Sequence, residues 1–147
     1  MYKLLFILLL PLASSGQGFT KEEVTGLKMQ AQHITIIRDN WGVPHIYGKK
    51  DADAAFGLMY AQCEDNYWQM EESTIRSLGK AAEIYGEKEL EGDAAVALFE
   101  CVKKGKESYA NADPFLKGLC DAAAAGINFY LQRHPEVERR LLHRYEP

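Results

Sequence analysis

The sequence predicts an α+β chain that is mostly helical and carries a β-hairpin near its N-terminus. Two observations support this fold class. A run rich in β-branched residues, 33–38, is followed by turn residues and a second extended run, 43–48. Beyond residue 50, apolar residues recur every three or four positions over long stretches, which is the spacing of one face of a helix.

The hairpin prediction depends on its turn. Asn40 and Gly42 both tolerate positive φ, and Pro44 keeps Val43 out of the helical region. An isolated two-stranded hairpin is marginal in water. We therefore expect these strands to need a larger sheet.

The longest predicted helix begins at Asp51, as N-cap, and ends before the helix breaker Gly79. Because it is long, we expect a bend near Gly57 or after Met70. Glu72 and Arg76 have the spacing of a favourable ion pair. The apolar face of this helix is formed by Phe56, Met59, Tyr60, Cys63, Tyr67 and Met70.

Shorter helices are predicted after the long one. They cover about 80–85, 93–110 and 114–133, the last with Asp113 as cap and Pro114 in its first turn. A short helix is also expected after Pro135. Residues 17–30 are interpreted as a polar lead-in with a helical turn at 21–24.

Residues 1–16 have the pattern of a secretory signal. Lys3 precedes an apolar run from Leu4 to Leu12, and small residues follow up to Gly16. A membrane anchor needs about 18 apolar residues, roughly twice this run. We therefore predict a signal peptide, 1–16, and an exported chain, 17–147, that is periplasmic or secreted and has no membrane partner. The alternative is a short buried N-terminal strand.

Composition excludes some classes of partner and site. The 147 residues contain 17 Lys+Arg and 21 Asp+Glu, a net charge of −4, which argues against nucleic acid. The three cysteines, Cys63, Cys101 and Cys120, form no CxxC pair, so neither a zinc site nor a disulfide framework is indicated. Cys63 and Cys120 are expected to be buried thiols, and a Cys101–Cys120 bridge stays open.

Metal sites are not favoured by the remaining patterns. Asp51 and Asp53 resemble the start of a calcium loop, but Ala55 takes the third ligand position, so helix capping explains them better. His33 and His45 could face each other across the hairpin. They lack further ligands at suitable spacing, and hydrogen-bonded strand histidines are the better interpretation.

The sequence offers no catalytic residue. Ser73, Ser77 and Ser108 have no histidine nearby in sequence, so none is nominated as a nucleophile. Glu64 and Asp65 lie within the apolar helix, where a buried carboxylate needs a partner. General acid/base roles stay open for them, with structural pairing to an arginine or to backbone amides favoured.

Several motifs in chain order resemble the start of the penicillin amidase family, which includes penicillin acylases and acyl-homoserine-lactone acylases. The similarity runs from about residue 33 to the last residue. The matching motifs begin with Ile37-Arg38-Asp39-x-x-Gly42-Val43-Pro44-His45-Ile46 and Asp53-Ala54-Ala55-Phe56-Gly57-x-x-Tyr60-Ala61-Gln62-x-Glu64-Asp65. They continue with Trp68-Gln69-Met70-Glu71, Gly79-x-x-Ala82-Glu83-x-x-Gly86, Ala124-Ala125-Gly126-Ile127-Asn128, Pro135-Glu136 and Tyr145-Glu146-Pro147.

This resemblance implies a fold and a reaction. Members have a four-layer αββα fold and cleave themselves into two chains, and the new N-terminal serine attacks an amide with its own α-amino group as base. A structural calcium is common in the full-length protein. The resemblance places the nucleophile, the oxyanion hole and the substrate pocket beyond Pro147, so substrate-binding residues are unknown.

Two hypotheses follow. In the first, the chain is the N-terminal part of an exported acylase that hydrolyses a linear amide, such as one in a β-lactam antibiotic or an acyl-homoserine lactone. The rest of the acylase, the β-chain region, would be its partner, and the isolated piece would be inactive and poorly stable. In the second, the chain is an exported, non-catalytic helical binding module derived from that family.

Overall fold

The computed structural model describes residues 18–147, so the predicted signal peptide lies outside the described residues. Helices dominate this part of the chain, and its two strands form one antiparallel hairpin. The helices are α1 Lys21–Ala31, α2 Asp51–Ser77, α3 Ala81–Tyr85, α4 Leu90–Leu98, α5 Cys101–Asn111 and α6 Pro114–Arg133. The strands are β1 Thr35–Arg38 and β2 Pro44–Tyr47, and a 3-10 turn, Glu87–Glu89, precedes α4.

The hairpin is confirmed, with Ile36 opposite Ile46 and Ile37 opposite His45. Gly42 has a φ of 84°, as the turn prediction requires. The side chains of Ile34, Ile36 and Ile46 are partly buried, whereas Ile37 and Tyr47 on the other face are exposed. One face of the hairpin therefore covers α2 and the other faces solvent.

Helices α2 and α6 pack against each other and form the core. Gly126 of α6 lies directly against the backbone of Phe56 in α2, where any Cβ would collide with the Phe56 carbonyl oxygen. This close approach lets the two helices bury apolar side chains on both sides of the contact. Phe56 packs with Ala122 and Phe129 in one cluster, and a second cluster contains Cys63, Tyr67, Ala124, Ile127, Tyr130, Leu131 and Tyr145.

The long helix α2 is confirmed, but its predicted bend is misplaced. The helix is interrupted at Asn66, whose φ and ψ are −163° and 79°, and not near Gly57 or after Met70. The Asn66 side chain accepts the Gln69 backbone N–H at 3.2 Å and so caps the second half of the helix. Asp51 is the first helical residue and not the cap; Asp53 accepts the backbone N–H groups of Lys49 and Lys50 instead.

The N-terminal lead-in is longer and more regular than predicted. A full helix, α1, begins after Thr20, whose side chain accepts the Glu23 backbone N–H while Glu23 accepts that of Thr20. This reciprocal pair is a capping box, a sequence signal that the interpretation as a polar lead-in overlooked. Leu27 and Ala31 then pack on the Phe56 cluster and hold α1 on the core.

The predicted helix at 93–110 is two helices. Helix α4 begins earlier, at Leu90, and the chain turns at Glu100, whose φ of 53° lies in the left-handed region. Val96 of α4 packs against Gly79, whereas the Tyr109 hydroxyl of α5 donates a hydrogen bond to the Asp121 carboxylate of α6. Helices α4 and α5 thus contact different parts of the molecule.

The helix expected after Pro135 is absent from the described chain, whose final segment, 134–147, has no regular secondary structure. Its backbone N–H groups at Arg140, Leu141 and Leu142 donate to the Glu71 carboxylate. They are therefore not available for a helical ladder. Helices α3 and α6 begin and end within a residue or two of their predicted bounds.

Candidate functional site

The polar centre of the molecule lies where the hairpin crosses α2. Arg38, at the end of β1, forms ion pairs with Glu64 at 3.1 Å and with Asp65 at 2.7 Å. It also donates to the carbonyl oxygens of Gly42 and Ala61. The hydrogen bond to Glu64, together with the charge of Asp65, raises the pKa of Arg38 against a smaller opposing effect of burial.

The carboxylates of this centre are exposed and paired, so the expectation of buried groups is wrong. Side-chain exposure is 37% for Glu64 and 53% for Asp65. The structural pairing to an arginine is confirmed, and the arginine is Arg38. Arg76 instead binds Glu72, as its spacing predicts, and Glu89.

The hairpin turn next to this centre is held by Asp39. One carboxylate oxygen accepts the backbone N–H groups of Trp41 and Val43, each at 2.9 Å, and the other lies 3.4 Å from His45 Nε2. Burial acts to raise the pKa of Asp39, but these hydrogen bonds and His45 outweigh it and lower the pKa. Asp39 therefore has a structural role in the turn.

The serines and histidines considered from the sequence are not brought together among residues 18–147. Ser77 donates its hydroxyl to the Ser73 carbonyl oxygen one helical turn earlier, which is ordinary helix bonding. His33 lies in the turn before β1, so it does not face His45, whose partner across the hairpin is Ile37. Nothing in this geometry activates a nucleophile.

The three cysteines are unbonded. Cys63 is buried, Cys101 exposed and Cys120 partly buried, so the open Cys101–Cys120 bridge is not formed and burial of Cys120 is incomplete. Burial raises the pKa of the Cys63 thiol to about 12, which leaves it protonated and unreactive at neutral pH.

Calcium stays a prediction for the full-length family member. Within residues 18–147, no three His, Cys, Asp or Glu side chains come together in a way that could hold a metal ion. The adjacent carboxylates Glu64 and Asp65 both pair with Arg38. No described helix is both long and apolar enough to cross a bilayer.

One anchoring residue escaped the sequence interpretation. Glu71 is 1% exposed, and its carboxylate accepts the N–H groups of residues 140–142 at 2.9–3.1 Å. It follows Cys63 and Tyr67 at four-residue intervals, so the periodicity of α2 could have placed it on the buried face. Nearby, Asn128 exchanges two hydrogen bonds with the Tyr145 backbone. Together these bonds position the end of the described chain on the core.

A groove of about 1080 Å³ opens beside the polar centre. It is lined by residues of β1, α2 and α6 and of the end of α1. Apolar residues such as Ile36, Tyr60 and Phe129 line it together with charged residues, among them Lys28 and Arg133. The sequence analysis did not predict this groove, because its lining residues belong to four elements that are separate in sequence.

Comparison with known proteins agrees with the sequence motifs. A family model described as penicillin amidase matches residues 33–147. Penicillin acylase 2 proenzyme from Pseudomonas sp. strain SE83 is 32% identical over 98 residues, which are 67% of this chain and 13% of that protein. Acyl-homoserine lactone acylase QuiP from Pseudomonas putida is 32% identical over 111 residues, which are 76% of this chain and 14% of that protein.

A solved structure shows the same fold. The thermostable penicillin G acylase from Alcaligenes faecalis superposes with a TM-score of 0.64 at 21% identity, over 70% of this chain and 55% of that one. The chain spans about one seventh of the length of the curated relatives it matches. The family match and the shared motifs show that the chain belongs to the penicillin amidase family.

Proposed function

We propose that the chain is the N-terminal part of an exported acylase that hydrolyses a linear N-acyl amide bond, as in β-lactam antibiotics or acyl-homoserine lactones. The observation that carries this proposal is the family match over residues 33–147. Two acylases that are each 32% identical to the chain support it. In the intact enzyme the fold would be the four-layer αββα sandwich. The hairpin would then belong to a larger sheet.

The described residues act as scaffold in this proposal. The α2–α6 core carries the hairpin through Arg38 and the final segment through Glu71. The nucleophilic serine, its α-amino base and the oxyanion hole would come from the rest of the acylase. Acyl transfer to that serine and hydrolysis of the ester would follow, with the released amine as the first product.

A graft tests the proposal. Residues 33–147 replace the matched segment of the Pseudomonas putida acylase, and the hybrid is assayed on phenylacetyl amides and long-chain acyl-homoserine lactones. We expect hydrolysis by the hybrid and none by the isolated chain. A hybrid carrying Gly126→Leu, which separates α2 from α6, is the inactive control. Robust turnover by the isolated chain, or a folded hybrid without activity, would contradict the proposal.

The second candidate is a non-catalytic, exported helical scaffold or binding module. The packing of α2 against α6, which buries Phe56, Cys63 and Ile127, favours it. Cooperative unfolding of the isolated chain as a monomer, together with a folded but inactive hybrid, would support it. The coding sequence after codon 147 separates the two candidates: a continuing frame with an internal self-cleavage site ahead of a serine supports the acylase.

A further inference from the structure

The final segment, 134–147, is fixed to the core although it has no regular secondary structure. Irregular segments usually run over the surface and bond their backbone groups to water. Here core side chains bond to the backbone between residues 140 and 145. The contacts join residues 140–142 to Glu71, the Leu142 carbonyl oxygen to the Tyr67 hydroxyl, and Tyr145 to Asn128.

Two buried polar side chains make most of these bonds. Glu71 is 1% exposed and Asn128 is 8% exposed. The Asn128 side-chain N–H₂ donates to the Tyr145 carbonyl oxygen at 2.8 Å, and its oxygen accepts the Tyr145 backbone N–H at 2.9 Å. Every side-chain hydrogen bond that Glu71 and Asn128 form within residues 18–147 goes to the backbone of the final segment.

These two side chains do more than fill the core. Burial of a carboxylate or an amide carries a desolvation cost that hydrogen bonds only offset, so apolar side chains would fill the same space at lower cost. Apolar contacts tolerate sliding of a chain, whereas directional bonds to consecutive backbone groups fix its register. Glu71 and Asn128 therefore determine where the backbone of the final segment lies, beyond what burial of Tyr145 requires.

We propose that Glu71 and Asn128 are positioning residues of the acylase, which fix the path by which the final segment continues toward the substrate pocket. This inference rests on the proposed function, with the pocket in the rest of the acylase. Neither side chain touches the substrate, and both act through the backbone of residues 140–145. A displacement of about 1 Å in a substrate-positioning group can cost about 100-fold in rate, so a shifted segment weakens substrate binding.

A purely structural role predicts a different kinetic result. A loss of stability lowers the fraction of folded molecules, but each remaining active site keeps its KM. A displaced pocket instead raises KM in the molecules that are folded. A nucleophile supplied by another part of the acylase then keeps its kcat nearly unchanged.

The test uses the hybrid of the graft experiment, in which residues 33–147 replace the matched segment of the Pseudomonas putida acylase. Glu71→Gln removes the carboxylate, and Asn128→Leu replaces the amide by an apolar side chain of similar size. Titration with a covalent acylating inhibitor counts the active sites, and long-chain acyl-homoserine lactones are the substrates. We expect each variant to raise KM at least about fivefold, with kcat per active site within about twofold of the unsubstituted hybrid.

Two matched controls separate position from stability. Phe56→Leu leaves a cavity in the other core cluster, which contains no residue of 139–147. It should lower the number of active sites and leave KM unchanged. Glu72→Gln alters the exposed neighbour of Glu71 and should change neither constant.

Amide hydrogen exchange on the 147-residue chain checks the same step without catalysis. Glu71→Gln should accelerate exchange of residues 140–142 at least about tenfold more than exchange in α6. Phe56→Leu should show no such preference for residues 140–142. Equal acceleration in both regions by Glu71→Gln would contradict fixation of the segment by this carboxylate.

The outcomes distinguish this inference from the proposed function. An active hybrid whose KM is unchanged in both variants overturns the inference and leaves the acylase assignment standing. A rise in KM with Phe56→Leu as large as that with Glu71→Gln also overturns it, because general destabilisation then explains the effect. An unsubstituted hybrid that folds without activity overturns the proposed function and this inference with it.

Discussion

The Glu71 carboxylate accepts the backbone N–H of Leu142 at 2.9 Å, although 71 positions separate the two residues. The same carboxylate also accepts the N–H groups of Arg140 and Leu141. This carboxylate is 1% exposed and is compensated by backbone dipoles; it forms no ion pair within residues 18–147. The Glu71 carboxylate thus accepts the backbone N–H groups of residues 140–142, which would otherwise need helical hydrogen bonds.

The bonds of Glu71 predict a large loss of stability on neutralisation. Glu71→Gln brings an N–H₂ donor toward N–H groups and removes the charge, so we expect the free energy of unfolding to fall by about 2–4 kcal/mol. The neighbouring Glu72→Gln affects an exposed ion pair and should cost less than about 1 kcal/mol. Urea unfolding of both variants checks this. Similar losses would mean that the Glu71 contacts do not stabilise the fold.

The contact between Gly126 and Phe56 predicts opposite effects for two glycine substitutions on α6. Gly126→Ala places a methyl group against the Phe56 backbone and should destabilise the chain by about 1–3 kcal/mol. Gly118→Ala, on the same helix with nothing nearby, should stabilise it by about 0.5–1 kcal/mol through helix propensity. Thermal unfolding distinguishes them, and a neutral Gly126→Ala would argue against the close packing.

Arg38 connects the hairpin to α2, so its loss should loosen the hairpin. Arg38→Met keeps the aliphatic stem but leaves Glu64 and Asp65 as adjacent like charges, at an expected cost of about 1–2 kcal/mol. Amide hydrogen exchange should accelerate in β1 and β2 more than in α6. Adding Glu64→Gln and Asp65→Asn to Arg38→Met should recover part of the loss, because the repulsion disappears. No recovery would assign the effect to packing of the stem.

The Glu23–Arg144 ion pair predicts a stability change at low pH. The hydrogen bond from Arg144, with that of the Thr20 backbone, lowers the pKa of Glu23 to about 2. Because the folded-state pKa lies below the unfolded value of 4.5, this contribution is complete above pH 4.5 and disappears as pH falls toward 2.

Melting temperatures of the wild type and Glu23→Gln should therefore differ above pH 5 and converge between pH 4.5 and 2. Glu22→Gln, an exposed change in the same helical turn, is the control and should track the wild type. A difference between wild type and Glu23→Gln that persists unchanged at pH 2 would assign the effect to helix capping and not to ionisation.

The apolar run of residues 4–12 predicts export. A fusion of residues 1–20 to alkaline phosphatase should be active in the periplasm of a bacterial host, since that enzyme needs an oxidising compartment. Leu8→Arg interrupts the apolar run and should abolish this activity, whereas Lys3→Arg preserves the charge and should retain it. Full activity of the Leu8→Arg fusion would exclude this segment as the signal.

The hairpin and helix α6 could be predicted from the sequence, because residues close together in the chain determine both. The hairpin follows from its β-branched runs and Gly42, and α6 from Asp113, Pro114 and its apolar periodicity. The family was also evident from motifs of adjacent residues, which the comparison confirms. Each of these signals lies within about a dozen residues of the feature that it predicts.

Some misplaced features had local signals that the sequence analysis overlooked: the Thr20–Glu23 capping box begins α1, and the Asn66 side chain caps the second half of α2. Others depend on distant contacts, as where Glu71 withdraws residues 140–142 from a helix. The partner of Glu64 and Asp65 is Arg38, more than 20 positions away, and the groove joins four elements. Local periodicity and capping determined the fold class of this protein, and short motifs of adjacent residues determined its family. Only tertiary packing decided which charges pair and where the groove lies, because those depend on where separate elements meet in space.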